Sequence, residues 1–304
     1  MTLPGDRDAV EEDLRNGPGP KVSPRLFCFG LGYTALALAR RLGGLGWRVA
    51  GSSRNPSPPP GYPCHMFDRG HPLPPEALAG TSHILVSVPP DESGDPVLEC
   101  HGGDIAALPG LRWLGYLSTT GVYGDRGGAW VDETSELRPS GPRGRRRVAA
   151  EAGWRDLLQR DGVPVHLFRL AAIYGPGRSA FDALRAGTAK RIDRPGQVFS
   201  RIHVEDITAV LIASMARPHP GAVYNVCDDE PAPAEAVIAH AAGLLGLPPP
   251  PLLPFAAAAL SPMARSFYDD NKRVANALIK TELKVRLRYP NYRAGLAAIL
   301  AAGG

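Results

Sequence analysis

Residues 26–42 constrain the fold of this chain more than any other stretch. An apolar run, Leu26-Phe27-Cys28-Phe29, ends in Gly30-Leu31-Gly32-Tyr33-Thr34-Ala35 and passes into a helical pattern, which reads as strand, glycine turn and helix. Gly30 permits a tight turn, Gly32 lets the backbone come close to a ligand, and Ala35 is small enough for the helix to lie against the strand. A helix opened by such a turn presents unpaired N–H groups to an anion. The turn therefore predicts a nucleotide diphosphate held by Gly30, Leu31, Gly32, Tyr33, Thr34 and Ala35. The competing reading is a strand-to-helix turn with incidental glycines.

A second apolar strand, residues 47–51, follows about 20 residues after the first glycine, where an acid binds the adenosine ribose in NAD sites. The strand ends instead in Ser52-Ser53-Arg54. A serine and a guanidinium suit a 2′-phosphate through charge-assisted bonds, so Ser53 and Arg54 predict NADP, with NAD as the alternative.

Further strands are expected at 65–67 (ending at Asp68), 83–88, 113–117 and 165–170, with helices at 75–78 and 146–160. Strands separated by helical segments imply an α/β, doubly wound parallel sheet. Residues 204–215 read as helix, 222–226 as a strand added to the same sheet, and 234–245 and 271–280 as helices of a smaller C-terminal substrate lobe. The expected division is a disordered leader over 1–21, a dinucleotide-binding domain over 22–170 completed by about 202–228, and a substrate lobe from 171–201 and 229–304. Ligands of such sheets lie beyond the carboxyl ends of the strands, which marks Asp68, Ser87, Val88, Pro89, Ser118 and Thr119 as rim residues.

The chain has 304 residues, 44% of them hydrophobic, and a net charge of +4, which compels neither a nucleic-acid nor a membrane partner. Its one basic cluster, Arg143-Gly144-Arg145-Arg146-Arg147, reads as a solvated helix start. Cys28, Cys64, Cys100 and Cys227 are widely spaced, which argues for reduced thiols in a cytoplasm. Residues 1–21 carry Asp6, Asp8, Glu11, Glu12 and Asp13 among prolines and glycines, unlike a signal peptide.

Four segments, in order, make the chain recognisable: Tyr116-Leu117-Ser118-Thr119-Thr120-Gly121-Val122-Tyr123-Gly124, Phe168-Arg169-Leu170-Ala171-Ala172-Ile173-Tyr174-Gly175-Pro176-Gly177, Arg201-Ile202-His203-Val204-Glu205-Asp206-Ile207 and Tyr224-Asn225-Val226. With the glycine turn they resemble the extended short-chain dehydrogenase/reductase superfamily, the NAD-dependent epimerase/dehydratase group, from about residue 22 onward. The resemblance implies a Rossmann-type fold, a small-molecule substrate, and pairing of two copies through helices flanking the active site. It places a catalytic hydroxyl at Thr119 and a Tyr-x-x-x-Lys pair just before Val148-Ala149-Ala150-Glu151.

Arginine stands at both positions of that pair, Arg143 and Arg147. A guanidinium keeps its proton and accepts no hydrogen bond, so Arg143 is no general base, although it can polarise a carbonyl or hold an anion. Arg147 is expected to keep the lysine's contact with the nicotinamide ribose. Tyr123, Tyr174 and His203 are substitute acid/base candidates, and Tyr268-Asp269-Asp270-Asn271-Lys272 reads as a chance match. Arg201 lies a few residues from where epimerases of the group anchor the phosphates of a nucleotide-sugar. Two functions follow: an NADP-binding oxidoreductase or epimerase/dehydratase-like enzyme acting on a carbonyl, hydroxyl or sugar-type substrate, or a non-catalytic NADP-binding sensor.

Overall fold

A computed structural model describes residues 23–55 and 61–303; the expected leader lies outside them. The front half runs β1 (Arg25–Phe29), α1 (Tyr33–Gly43), β2 (Arg48–Ser53), β3 (Cys64–Met66), β4 (His83–Val86), α2 (Pro96–Ala106), β5 (Trp113–Thr119), β6 (Trp130–Val131), α3 (Pro142–Asp161) and β7 (Val165–Leu170). The back half adds β8 (Ala172–Tyr174), α4 (Ala180–Arg185), β9 (Arg191–Asp193), β10 (Arg201–His203), α5 (Val204–Ala216), β11 (Val223–Val226), α6 (Ala234–Leu244), β12 (Leu252–Pro254), α7 (Pro262–Ser266), β13 (Arg273–Val274), α8 (Ala277–Thr281) and α9 (Tyr292–Ala301).

Seven strands form one parallel sheet in the order β11-β7-β5-β4-β1-β2-β3. This is a Rossmann-type doubly wound sheet, in which the chain returns across β1 to build the second half. Its central strands are buried on both faces and read as continuous apolar runs. On one face α1 presents Ala35, Leu38, Ala39 and Leu42 at helical spacing and packs with Ile207, Val210 and Leu211 of α5. On the other, Val97 and Ile105 of α2 meet Ala150, Trp154 and Leu157 of α3. A smaller cluster holds the back half together around Tyr174, Phe181, Tyr292 and Leu296.

Three boundaries differ from expectation. The helix expected at 271–280 is confined to Ala277–Thr281, because Arg273 and Ala275 donate to the carbonyls of Ala129 and Val131 and make β13 a partner of β6. The helix expected from 146 begins at Pro142, where proline's fixed φ and missing N–H suit a first helical position. The segment 75–78 is a single 3-10 turn. Of the three unexpected helices, α2, α7 and α9, the first is capped by Asp95, which accepts from the Val97 and Leu98 amides, and the last by Asn291, which accepts from the Ala294 amide.

The buried titratable groups set a pH optimum of stability. Burial lowers His83 to about 3, His166 to about 4 and His203 to about 4 from an ordinary 6.5, so below that value unfolding takes up protons the folded protein refuses. Stability should fall as pH drops from 6.5 to 4. Asp228 acts in reverse: burial raises it from 3.8 to about 8, so its contribution is lost as pH rises through that interval. Of these four groups the three histidines act together on the acid side, and Asp228 alone acts between 6.5 and 8. Denaturant midpoints should therefore peak near pH 6.5 and decline on both sides, with Asp228→Asn flattening the alkaline arm. A midpoint still rising at pH 8 would contradict this assignment.

Candidate active site

The glycine turn after β1 is held from both neighbouring strands. Gly30 has φ +90°, and a Cβ there would stand 2.6 Å from the Ser87 hydroxyl beyond β4. That hydroxyl donates to the Gly30 carbonyl at 2.7 Å. From β2, the Ser52 hydroxyl accepts from the Gly30 amide at 3.3 Å and the Ser52 carbonyl from the Leu31 amide at 2.7 Å.

Gly32 is the contrast. Its backbone is ordinary (φ −91°), and nothing lies within 4 Å of where its Cβ would be. The helix α1 starts there with no side-chain cap and no acid in its first turn. An uncapped helix end facing open space fits the pyrophosphate of a dinucleotide. Tyr33 closes one side by donating to the Pro176 carbonyl at 3.0 Å. Thr34 and Ala35 are buried beneath the turn.

The remaining cofactor candidates are spread along the rim. Ser53 accepts from the Asn55 amide at 2.9 Å, and Arg54 beside it is exposed. Asp68 is bonded to the His71 ring at 2.9 Å and the Gly70 amide at 2.8 Å, contacts that hold its carboxyl below the usual range. Val88 stands against the Gly30 turn and Pro89 is exposed. Ser118 is buried, and its hydroxyl donates to Glu151 at 2.6 Å.

A second strand end gathers the catalytic candidates. The Thr119 hydroxyl oxygen accepts from the Gly121 amide at 3.1 Å and so opens a 3-10 turn over Thr120–Tyr123. Gly144 of α3 seats on that turn so closely that a Cβ would lie 2.9 Å from the Gly121 carbonyl and 2.8 Å from Pro139. This contact brings Arg143 and Arg147, four apart and so on one side of the helix, to the end of β5. Arg147 donates through Nη1 to the Leu117 carbonyl at 2.8 Å and the Tyr116 hydroxyl at 2.9 Å. Arg143 is exposed, with its guanidinium 5.4 Å from the ring centre of Phe267 in the back half.

Below this wall lies a network that sequence reasoning missed. Arg169 on β7 and Glu151 on α3 form a two-pronged ion pair, at 2.8 and 3.1 Å, with both side chains 2% exposed. Arg169 also donates to the Tyr123 hydroxyl at 2.9 Å, which donates to Asn225 Oδ1 at 2.7 Å, and Glu133 accepts from the Asn225 amide at 2.8 Å. The available signal was a charged residue inside the otherwise apolar strand 165–170.

Tyr123 is thus occupied in the network and fully buried, and desolvation raises its hydroxyl above the ordinary range. Tyr174 is buried edge-on to His203, its hydroxyl donating to the Asn291 carbonyl at 3.4 Å, and desolvation raises it as well. His203 caps α5 by accepting from the Glu205 amide at 3.2 Å, which leaves its buried Nε2 with no partner among the described residues. Arg201 donates to the carbonyls of Phe199 and Ala232. Tyr268 packs on Phe199 and Phe255 beyond the end of α7, and the Lys272 ammonium lies 3.0 Å from both the Gly124 carbonyl and Asp270. Those two residues share no helix.

No family model matches the chain. A solved structure of a functionally unknown conserved protein from Silicibacter pomeroyi is 55% identical, with a TM-score of 0.86 over 92% of this chain and 99% of that one. The 3-diazoavenalumate denitrifying reductase of a Streptomyces species is 29% identical over 73% of both chains. A protein described as an NAD-dependent epimerase/dehydratase from Methylobacillus flagellatus is 26% identical, with a TM-score of 0.68 over 93% of this chain and 99% of that one. The chain shares its fold with NAD-dependent epimerase/dehydratase and short-chain dehydrogenase/reductase proteins of solved structure. More distant solved structures share the fold, among them MoeE5 in complex with UDP-glucose and NAD (21% identical, TM-score 0.73) and human epimerase family protein SDR39U1 with NADPH (18%, 0.69). Among the described residues no helix is long and apolar enough to cross a membrane.

Proposed function

We propose that the chain is an NADP-dependent oxidoreductase or epimerase/dehydratase-like enzyme acting on a small carbonyl, hydroxyl or sugar-type compound, with a permanent cation where the superfamily places its tyrosine. The observation that carries this reading is the open, uncapped glycine turn after β1, together with Arg147 bonded to the Leu117 carbonyl and Thr119 at the carboxyl end of β5; Arg143 lies one helical turn before Arg147 on α3. The reductase among its relatives supports the reductive direction.

The nicotinamide dinucleotide supplies the transferable hydride when bound. The amides at Gly32 and Tyr33 hold its pyrophosphate, Ser53 and Arg54 take the 2′-phosphate, and Arg147 fixes the end of β5 against the nicotinamide ribose. Asp68, Val88 and Pro89 line the adenosine side, and Ser87 and Ser118 shape the rim from beneath. Thr119, whose oxygen already accepts from Gly121, keeps its proton to donate to the substrate oxygen. Arg143 stabilises the negative charge that develops on that oxygen and cannot take its proton. The four unpaired cysteines support a cytoplasmic location, and two copies pair through the flanking helices.

Fluorescence titration with NADPH and NADH, followed by a screen for NADPH oxidation with carbonyl compounds, tests the reading. NADPH should bind more tightly than NADH; equal affinities would remove Arg54 from its role. Gly32→Val should abolish binding at a stability cost of no more than about 1 kcal/mol, because a Cβ there meets only open space and the loss is that of a poorer N-cap. Tight NADPH binding without turnover of any carbonyl would favour the sensor, which the absence of the tyrosine and lysine supports.

A further inference from the structure

A groove of about 620 Å³ lies between α1, α5 and residues 283–288, and Tyr33 and Pro176 beside the glycine turn line one part of it. Leu36 and Ala37 of α1, Ala209 and Ile212 of α5, and Val285 form its apolar floor. Arg40, Arg41, Lys284, Arg286 and Arg288 line it, all of them exposed residues. Among the described residues a single acid faces it, Glu205, whose carboxylate is already bonded to Arg288 at 3.0 Å and to the Tyr289 hydroxyl at 3.1 Å. An apolar floor under a cationic rim selects an occupant that is both apolar and anionic.

We infer that the groove is the docking site of this chain's own acidic N-terminal segment, residues 6–14. Two observations independent of the active-site reading support this occupant. The first is charge: residues 6–13 contain five acids, Asp6, Asp8, Glu11, Glu12 and Asp13, against one base, Arg7, and Val10 and Leu14 supply apolar side chains for the floor. The second is where the chain emerges. The Pro24 carbonyl accepts from the Arg48 amide at 3.0 Å, and Arg48 follows the turn that closes α1, so the described chain begins near the end of the groove that carries Arg40 and Arg41. From Ser23 back to Asp13 an extended chain reaches about 33 Å. The 11-residue α1 that forms one wall is only about 16 Å long.

The chain's five lysines, Lys21, Lys190, Lys272, Lys280 and Lys284, make the test direct, because among the described residues Lys284 is the one lysine that lines the groove. The full-length protein, as an equal mixture of unlabelled and ¹⁵N-labelled chains, is treated with a carbodiimide that joins carboxylates to amines, and the linked peptides are mapped by mass spectrometry. Docking raises the local concentration of one amine, so links from the acids of residues 6–13 to Lys284 of the same chain should exceed those to Lys190 or Lys280 by about tenfold or more. High salt, and Val10→Ser with Leu14→Ser, should each reduce them. Links spread evenly over the lysines, links joining labelled to unlabelled chains, or a Lys284 link indifferent to the double substitution would each overturn the inference. The second of these outcomes would give the groove to another copy of the chain.

Discussion

Replacing Glu151 with alanine is expected to cost about 3–5 kcal/mol of folding stability, the loss typical when one partner of a buried ion pair is removed. Glu151 accepts both prongs of Arg169 and the hydroxyl of Ser118, so its removal strands a buried cation and a buried donor together. Most of that cost comes from the uncompensated charge rather than from lost attraction. The double substitution Glu151→Met with Arg169→Met should therefore be less harmful than Glu151→Ala alone, since it removes both charges and keeps the volume. Denaturant unfolding of the two variants decides the matter. A double variant no more stable than the single one would mean that Arg169 matters chiefly through Tyr123 and Glu133.

Arg143→Ala should lower turnover by about 10²- to 10³-fold, the usual cost of losing one charge-stabilising donor, while NADPH affinity stays unchanged. The guanidinium sits at the open edge of the site against Phe267 and makes no contact with the glycine turn that would hold the cofactor. The companion expectation concerns pH. A tyrosine in this position would titrate and impose a limb on the rate, whereas a guanidinium is a permanent proton carrier with no neutral form to supply one. The rate of hydride transfer should accordingly show no alkaline or acid limb owed to residue 143 between about pH 7 and 10. Arg143→Tyr should introduce one. Unchanged turnover in Arg143→Ala would remove the residue from the mechanism.

Much of the sheet is legible in the sequence because each central strand is a predominantly apolar run between turn residues; β7, despite His166 and Arg169, begins and ends at the residues expected of it. The helix α2 is hidden because Gly102 and Gly103 interrupt its apolar face and lower its propensity. The segment 271–280 misleads because hydrogen bonds to the loop before and within β6, invisible to local patterning, pull its first half into an extended pairing. At the site, a glycine turn and two arginines at motif positions can be found by spacing alone. The linkage of Ser118, Glu151, Arg169, Tyr123 and Asn225 cannot, since it draws on five separate segments that meet only after folding.

The strand order has a bearing on biosynthesis. Five adjacent strands, from β3 through β2, β1 and β4 to β5, are complete once residue 119 has been made, but the neighbour that covers the far edge of β7 is not finished until residue 226. A nascent chain halted after β7 is made but before β11 exposes a bare strand edge with Arg169 on it, before Asn225 exists to orient Tyr123. Translation of the intervening residues is the interval in which this protein is most exposed to mispairing and to capture by chaperones.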